Sequence, residues 1–305
     1  MRRRLCGIPS LDAHGGLSPG VVELYGAADD FMDETAWYLV EAHDGPCAWV
    51  AAADSDTTGI SRTDVAHIRP VTSEAAIEAT DLLLGVTGML VVVDRMTALP
   101  PHAYMQQLEV LDRYEAQIKL LSHAMIIWRA SAEAHGSTLI LINELRYSRD
   151  NGIRPFLPAA TAGRTCARIR CRRGTTEARY ELPYMLRVHV DWQAHGTFGS
   201  SELEFFAGRV PSPGWQYYRI LIPLPCVERR GTYSSFTFDG ESVRYGPGKL
   251  DMADQMAAHG TFDNIRESCL THLRELHEIP NHYNQGRRRK AGHRKRIRAK
   301  LPRRR

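Results

Sequence analysis

The chain has 305 residues, 43% of them hydrophobic, enough to bury a sizeable core in one large domain with a smaller companion. Its formal charge of +4 hides an asymmetry: Arg287 to Arg305 hold 12 Lys/Arg and no acid, leaving residues 1–286 with 27 bases against 35 acids, a net of −8. No run of eighteen apolar residues exists and no apolar segment follows the basic Met-Arg-Arg-Arg start, so neither a transmembrane helix nor a signal peptide is expected.

In chain order, Val21–Tyr25 predicts a strand, Thr35–His43 a helix and Cys47–Ala53 ("CAWVAAA") a second strand. Ser73–Leu84 is amphipathic and helical, and Met89–Val93 ("MLVVV") is a buried strand ending at Asp94. His102–His135 contains a long helix, with Leu108, Leu111, Ile118, Leu121, Met125 and Trp128 three, four or seven apart, and Leu139–Ile142 follows as a strand. Strands too apolar to be solvated on either face, alternating with helices, predict an α/β fold with a mostly parallel sheet flanked by helices. From Tyr147 to Thr165 the pattern breaks into "YSRDNGIRPFLPAATAGRT", a stretch long enough to imply function. Strands are expected again at Ala167–Arg172, Tyr184–Trp192, Glu202–Phe206 and Tyr217–Leu221. After a boundary at Pro223 and Pro225, Gly231–Lys249 reads as a hairpin, and Phe262 to Leu276 as a helix that stops before Pro280.

The junction after the first strand is unusual. "YGAADDFMDET" sits where a nucleotide-binding scaffold places Gly-Lys-Ser/Thr to hold phosphates. Here Gly26 is followed by Asp29, Asp30, Asp33 and Glu34, with no lysine. Two readings stand: ordinary N-cap carboxylates, worth about 1 kcal/mol, or a built-in anion at a helix N-terminus that a ligand's phosphate would otherwise occupy. Elsewhere the chemistry is quiet. The six cysteines lack metal-type spacing, and Cys166 and Cys171 read as packing residues in a reduced, cytoplasmic setting. The thirteen histidines form no HExxH pair, His272 and His277 are five apart, and no G-x-S-x-G elbow occurs. No catalytic or metal-ligating set is assigned.

With these elements placed, the chain resembles the bacterial RecA recombinase family over nearly all of residues 5–280. "GIPSLDAHGGLSPGVVELYG" is similar to the family's entry into its phosphate loop, and "MLVVVDRMTAL" to its Walker B strand, with Asp94 at the magnesium-associated carboxylate. "IKLLSHAMIIW" resembles the helix after the first DNA-binding loop, "LILINELR" the strand leading into the second, and "GTYSSFTFDGESVRYGPGK" the small C-terminal domain. The resemblance implies a RecA-like core over residues 1–224, a small α+β C-terminal domain over 225–280 and a disordered basic tail over 281–305.

The departures concentrate at the nucleotide. The family's Gly-Lys-Thr falls on Phe31-Met32-Asp33, or two residues away; its catalytic glutamate falls on Ala53 and its γ-phosphate-sensing glutamine on Glu144. Two lysines that reach a neighbouring subunit's nucleotide fall on Trp192 and Ala194. Carboxylates beside a triphosphate oppose its binding by several kcal/mol or more at an interior dielectric, so ATP and Mg²⁺ are not expected and no cofactor is assigned.

The resemblance puts DNA contact in the second loop, where Arg146, Arg149, Arg154 and Arg164 accompany Phe156: arginines for phosphate and an aromatic for a base step. The tail adds Arg287, Arg288, Arg289, Lys290, Arg294, Lys295, Arg296, Arg298 and Lys300. No other Lys/Arg cluster is expected in the body. The family's filament-forming N-terminal segment has no counterpart ahead of Leu5, so self-assembly is expected to rest on DNA. The expected function is a cytoplasmic, nucleoid-associated DNA-binding protein of recombination or repair. It is expected to engage single-stranded DNA, with double-stranded DNA as a further partner, without ATP hydrolysis. Homologous pairing is compatible with that, because the exchanged duplexes are nearly equal in stability. The alternatives are a non-catalytic interaction module for a repair polymerase, recombinase or cell-division partner, and a working ATPase with an unusual phosphate loop.

Overall fold

Strands with no polar face need cover on both sides, and the architecture supplies it. The computed structural model describes residues 4–28, 30–51, 62–95, 98–102, 110–148, 152–155, 164–174, 185–206, 213–238, 240–246, 255 and 262–278. A short helix α1 (Pro9–Ala13) precedes β1 (Gly20–Gly26), α2 (Met32–Glu41), β2 (Cys47–Ala51) and β3 (Val65–Ile68). Then come α3 (Ser73–Leu84), β4 (Leu90–Asp94), α4 (Val110–His135) and β5 (Thr138–Ser148). The sheet runs β3-β2-β4-β5-β1-β7-β8-β9, where β7 is Ala167–Arg173, β8 Met185–Ala194 and β9 Thr197–Phe206. From β3 to β7 every neighbouring pair is parallel, and β8 and β9 join antiparallel. This is the mostly parallel α/β sheet that the strand composition predicts.

The two faces are filled by different residues of the same strands. Val22, Leu24, Leu90, Val92, Ile140 and Ile142 pack under α1 and α2, while Val21, Val91, Val93, Leu139 and Leu141 pack under α3 and α4. On α4, Leu121, Met125, Trp128 and Ala132 recur at helical spacing and are fully buried, which is the stripe the periodicity implies. Helix α3 starts where expected because the Thr72 hydroxyl caps it, accepting from the Ala75 N–H at 3.2 Å. A third cluster joins α5 (Pro213–Leu221), the antiparallel strands β10 (Val227–Arg230), β11 (Tyr233–Phe238) and β12 (Glu241–Tyr245), and α6 (Phe262–Glu278). It reaches Leu5 and Ala13 in the N-terminal segment. The hairpin expected over Gly231–Lys249 is β11 and β12.

Three expectations are corrected. Tyr217–Leu221 is not a strand but the second half of α5: Pro213 opens the first turn, and Trp215, Tyr218 and Leu221 share one buried face. Aromatic and β-branched residues favour strands locally, but burial of this face among Phe236, Tyr245 and Ile265 decides for helix. The strand at Glu202–Phe206 begins earlier, at Thr197, because His195 (φ 53°) and Gly196 (φ 78°) form a two-residue hairpin turn after β8. The stretch from Tyr147 is not loop from its start: β5 continues to Ser148 and pairs with β6 (Gly152–Pro155), Ser148 opposite Gly152.

Candidate functional site

Open parallel sheets place their sites outside the carboxyl ends of the strands, and this sheet brings its acidic residues there. Gly26 ends β1 opposite Glu144 of β5, and Asp94 ends β4 opposite Ala51 of β2. Asp94 is buried, 1% exposed, while Glu144 is half-buried. Asp33 and Glu34 stand in the first turn of α2. Asp29 lies outside the described residues.

The turn between β1 and α2 is held by a carboxylate, though not as a helix cap. The N-cap of α2 is Phe31, in the left-handed region at φ 58°, and no side-chain cap hydrogen bond is made there among the described residues. The N-cap reading is therefore corrected for Asp30 and Asp33. Asp30 turns away from the helix: its Oδ2 accepts from the Ala27 N–H at 2.7 Å and its Oδ1 from the Arg173 N–H at 2.9 Å. The Asp30 carboxylate thus sits on amides of the turn and of β7, and the Arg173 guanidinium lies over the Phe31 ring, 5.6 Å from its centroid. Gly26 permits this seat, since a Cβ there would stand 2.9 Å from Asp30 Cβ and 3.0 Å from the Cys171 carbonyl. Gly26→Ala is expected to destabilise the fold by about 1–3 kcal/mol in urea unfolding, because backbone cannot yield as a flexible side chain can.

A residue that sequence reading passed over supplies the cation. Arg95 follows Asp94 directly, with φ 49°, and its Nη2 donates to Asp33 Oδ2 at 2.7 Å while its Nε lies 3.6 Å from Asp94 Oδ1. Burial disfavours its charge, but Asp33, Asp94 and Glu144 outweigh that and hold the guanidinium above its ordinary value. Two of the three non-glycine residues with positive φ among the described residues, Phe31 and Arg95, therefore flank one site. Strained backbone persists where surrounding contacts over-determine it. The available signal was the Asp-Arg pair at the end of an apolar strand.

On the opposite face of the sheet, Glu23 is wholly buried in β1. Its Oε1 accepts from Asn143 Nδ2 of β5 at 2.7 Å and its Oε2 from Arg168 Nε of β7 at 2.6 Å. Arg168 also covers the Tyr25 ring at 4.8 Å. Glu23 thereby ties together the two strands that flank residues 149–163. Of the loop candidates, Arg146 and Arg154 are opposed in the β5–β6 ladder, with nothing described of their side chains. Arg164 donates to the Ser122 carbonyl of α4. Arg149 and Phe156 lie outside the described residues, as do Arg287, Arg288, Arg289, Lys290, Arg294, Lys295, Arg296, Arg298 and Lys300.

The expectation of no other basic cluster in the body is also corrected. Alternation in "ARIRCRR" buries Ala167, Ile169 and Cys171 and leaves Arg168, Arg170 and Arg172 in a row on the other face of β7. Arg172 pairs with Asp191 at 2.6 Å, and Arg170 is exposed.

The fold is a mostly parallel α/β core of the RecA-like type, carrying an acidic turn filled by its own arginine. No protein-family model matches the chain. It is similar to the protein RecA of Rickettsia canadensis, 23% identical over 276 residues that cover 84% of this chain and 79% of that protein. It is 31% identical to the RecA of Frankia alni over 144 residues, 43% of this chain and 41% of that protein. The RecA of Cutibacterium acnes is 30% identical over the same length and shares of the two chains. Together these similarities support a distant RecA-like relationship. The turn has no lysine, Asp30 occupies the Ala27 amide, and no group of three His, Cys, Asp or Glu among the described residues is placed to hold a metal ion.

Proposed function

We propose that this is a RecA-like DNA-binding protein of recombination or repair that engages single-stranded DNA without consuming ATP. The observation that carries the reading is charge inversion at the carboxyl ends of the sheet. A triphosphate site needs cationic donors on the loop and a carboxylate-held metal, whereas here a carboxylate sits on the loop amide and a guanidinium sits among the carboxylates. Asp30 and Asp33 already have their partners, and a triphosphate entering the site would meet Asp30, Asp33 and Glu144 with no lysine to offset them.

DNA contact rests on the loop within 147–165, the basic tail and the arginine row of β7. Arg168, Arg170 and Arg172 rise from the strand that continues the loop, and Glu23 braces its two flanks. Phosphate contacts of this kind position a strand without reading its sequence. The test is binding of the full chain to a single-stranded oligonucleotide with and without ATP and Mg²⁺. The expected affinities agree within about twofold, less than the tenfold step that 1.4 kcal/mol of coupling produces. Stimulation of tenfold or more by ATP would overturn the reading and restore a working nucleotide site.

A further inference from the structure

We propose that the carboxylate-lined end of β4 and α2 is a guanidinium site, filled in cis by Arg95, and not a metal–phosphate site that has merely decayed. This deepens the nucleotide-independent part of the function proposed above and rests on it.

Three observations converge. The guanidinium is seated, with Nη2 on Asp33 at 2.7 Å and Nε toward Asp94 at 3.6 Å, so two different nitrogens face two carboxylates from different elements. The planar fork of guanidinium matches such divergent acceptors, where an ammonium is a single point charge. Among the described residues no group of three His, Cys, Asp or Glu is placed to hold a metal ion by itself, and the one or two carboxylates that a phosphate-borne metal would use include Asp33, whose Oδ2 is already taken by Arg95. Finally, the Arg95 backbone is held at φ 49°, a conformation L residues avoid. With this turn at the strand end, the side chain reaches the first turn of α2. At 41% side-chain exposure the cation remains open to water on one side, so a small solute can reach its seat once the side chain is removed.

The site therefore has a ligand class of its own. Asp33, Asp94 and Glu144 make a field that selects a flat, delocalised cation, and Arg95 provides it without dissociating. The arrangement ties the end of β4 to the start of α2 in one geometry, whatever the nucleotide concentration.

Thermal unfolding of the full-length Arg95→Ala variant tests this, with methylguanidinium, methylammonium or Mg²⁺ added at constant ionic strength. The variant is expected to melt below wild type, and methylguanidinium at about ten times its dissociation constant is expected to raise its midpoint by about 2–4 °C. Wild type and the Arg95→Ala/Asp33→Asn variant should not respond. Equal rescue by methylammonium or Mg²⁺, or no rescue of a folded Arg95→Ala protein, would overturn the proposal. If Arg95→Ala folds only when methylguanidinium is present, the proposal is supported. If it does not fold at all, Arg95→Lys decides: a midpoint below wild type supports the fork geometry, and a wild-type midpoint refutes it. No DNA enters these measurements, so they can fail while DNA binding stands, and the reverse.

Discussion

Asp12→Ala is expected to lower the unfolding free energy by about 3–5 kcal/mol, a large share of the roughly 5–15 kcal/mol that holds a typical domain. Asp12 is wholly buried in α1. Its Oδ1 accepts from the Cys6 N–H at 2.8 Å and the Cys6 thiol at 3.2 Å, and its Oδ2 accepts from the Gly7 N–H at 2.8 Å and from the Tyr217 hydroxyl of α5. Removing the carboxylate strands two backbone donors and a buried phenol at once, where the N-terminal segment meets the third cluster. Urea unfolding of Asp12→Ala against Tyr217→Phe checks this, since the phenylalanine removes one donor and is expected to cost only about 1 kcal/mol. Equal, small effects for both would mean that the network contributes little.

The same residue sets a pH dependence whose sign is unusual for a carboxylate. Burial pushes the Asp12 carboxyl up to about 6 from 3.8, against hydrogen bonds from Tyr217, Cys6 and Gly7 that favour its charge. The folded chain then binds this proton more tightly than the unfolded chain. Stability from Asp12 therefore rises as pH falls from about 7 toward 4, by at most about 3 kcal/mol, and is lost as pH rises through about 6. Asp12→Asn, uncharged at every pH, is expected to flatten this slope. A slope unchanged in Asp12→Asn would assign it to other groups.

Ending the chain at Gly286 is the second large expected effect. The removed residues hold 12 Lys/Arg and no acid, and what remains carries −8. If about six of those cations meet phosphates at a time, the salt dependence of single-strand binding should flatten by about 4 units of log K per log salt. Over a fourfold rise in salt that corresponds to about a 250-fold difference in how far affinity falls. The truncated chain should retain weaker binding through the loop and the β7 arginines, still indifferent to ATP. Complete loss of binding would instead favour an interaction module that touches DNA only through its tail.

Local pattern and composition were enough for part of this protein. Uninterrupted apolar strands such as "MLVVV" and "LILI" need cover on both faces whatever surrounds them, so the parallel sheet, α3 and the buried stripe of α4 were legible from residues a few positions apart. The absent lysine and the acidic turn were equally plain, because charge is written directly in the chain. Only the tertiary structure decided where the charges go. Asp33 meets Arg95 across 62 positions and Asp12 meets Tyr217 across 205, and no local rule pairs residues so far apart. The helix at Tyr217–Leu221 shows the same limit, since its aromatic residues prefer strand until α6 and β11 bury one helical face. Propensity acts through neighbours in sequence, whereas burial and electrostatics act through neighbours in space, and the candidate site is built from the second kind.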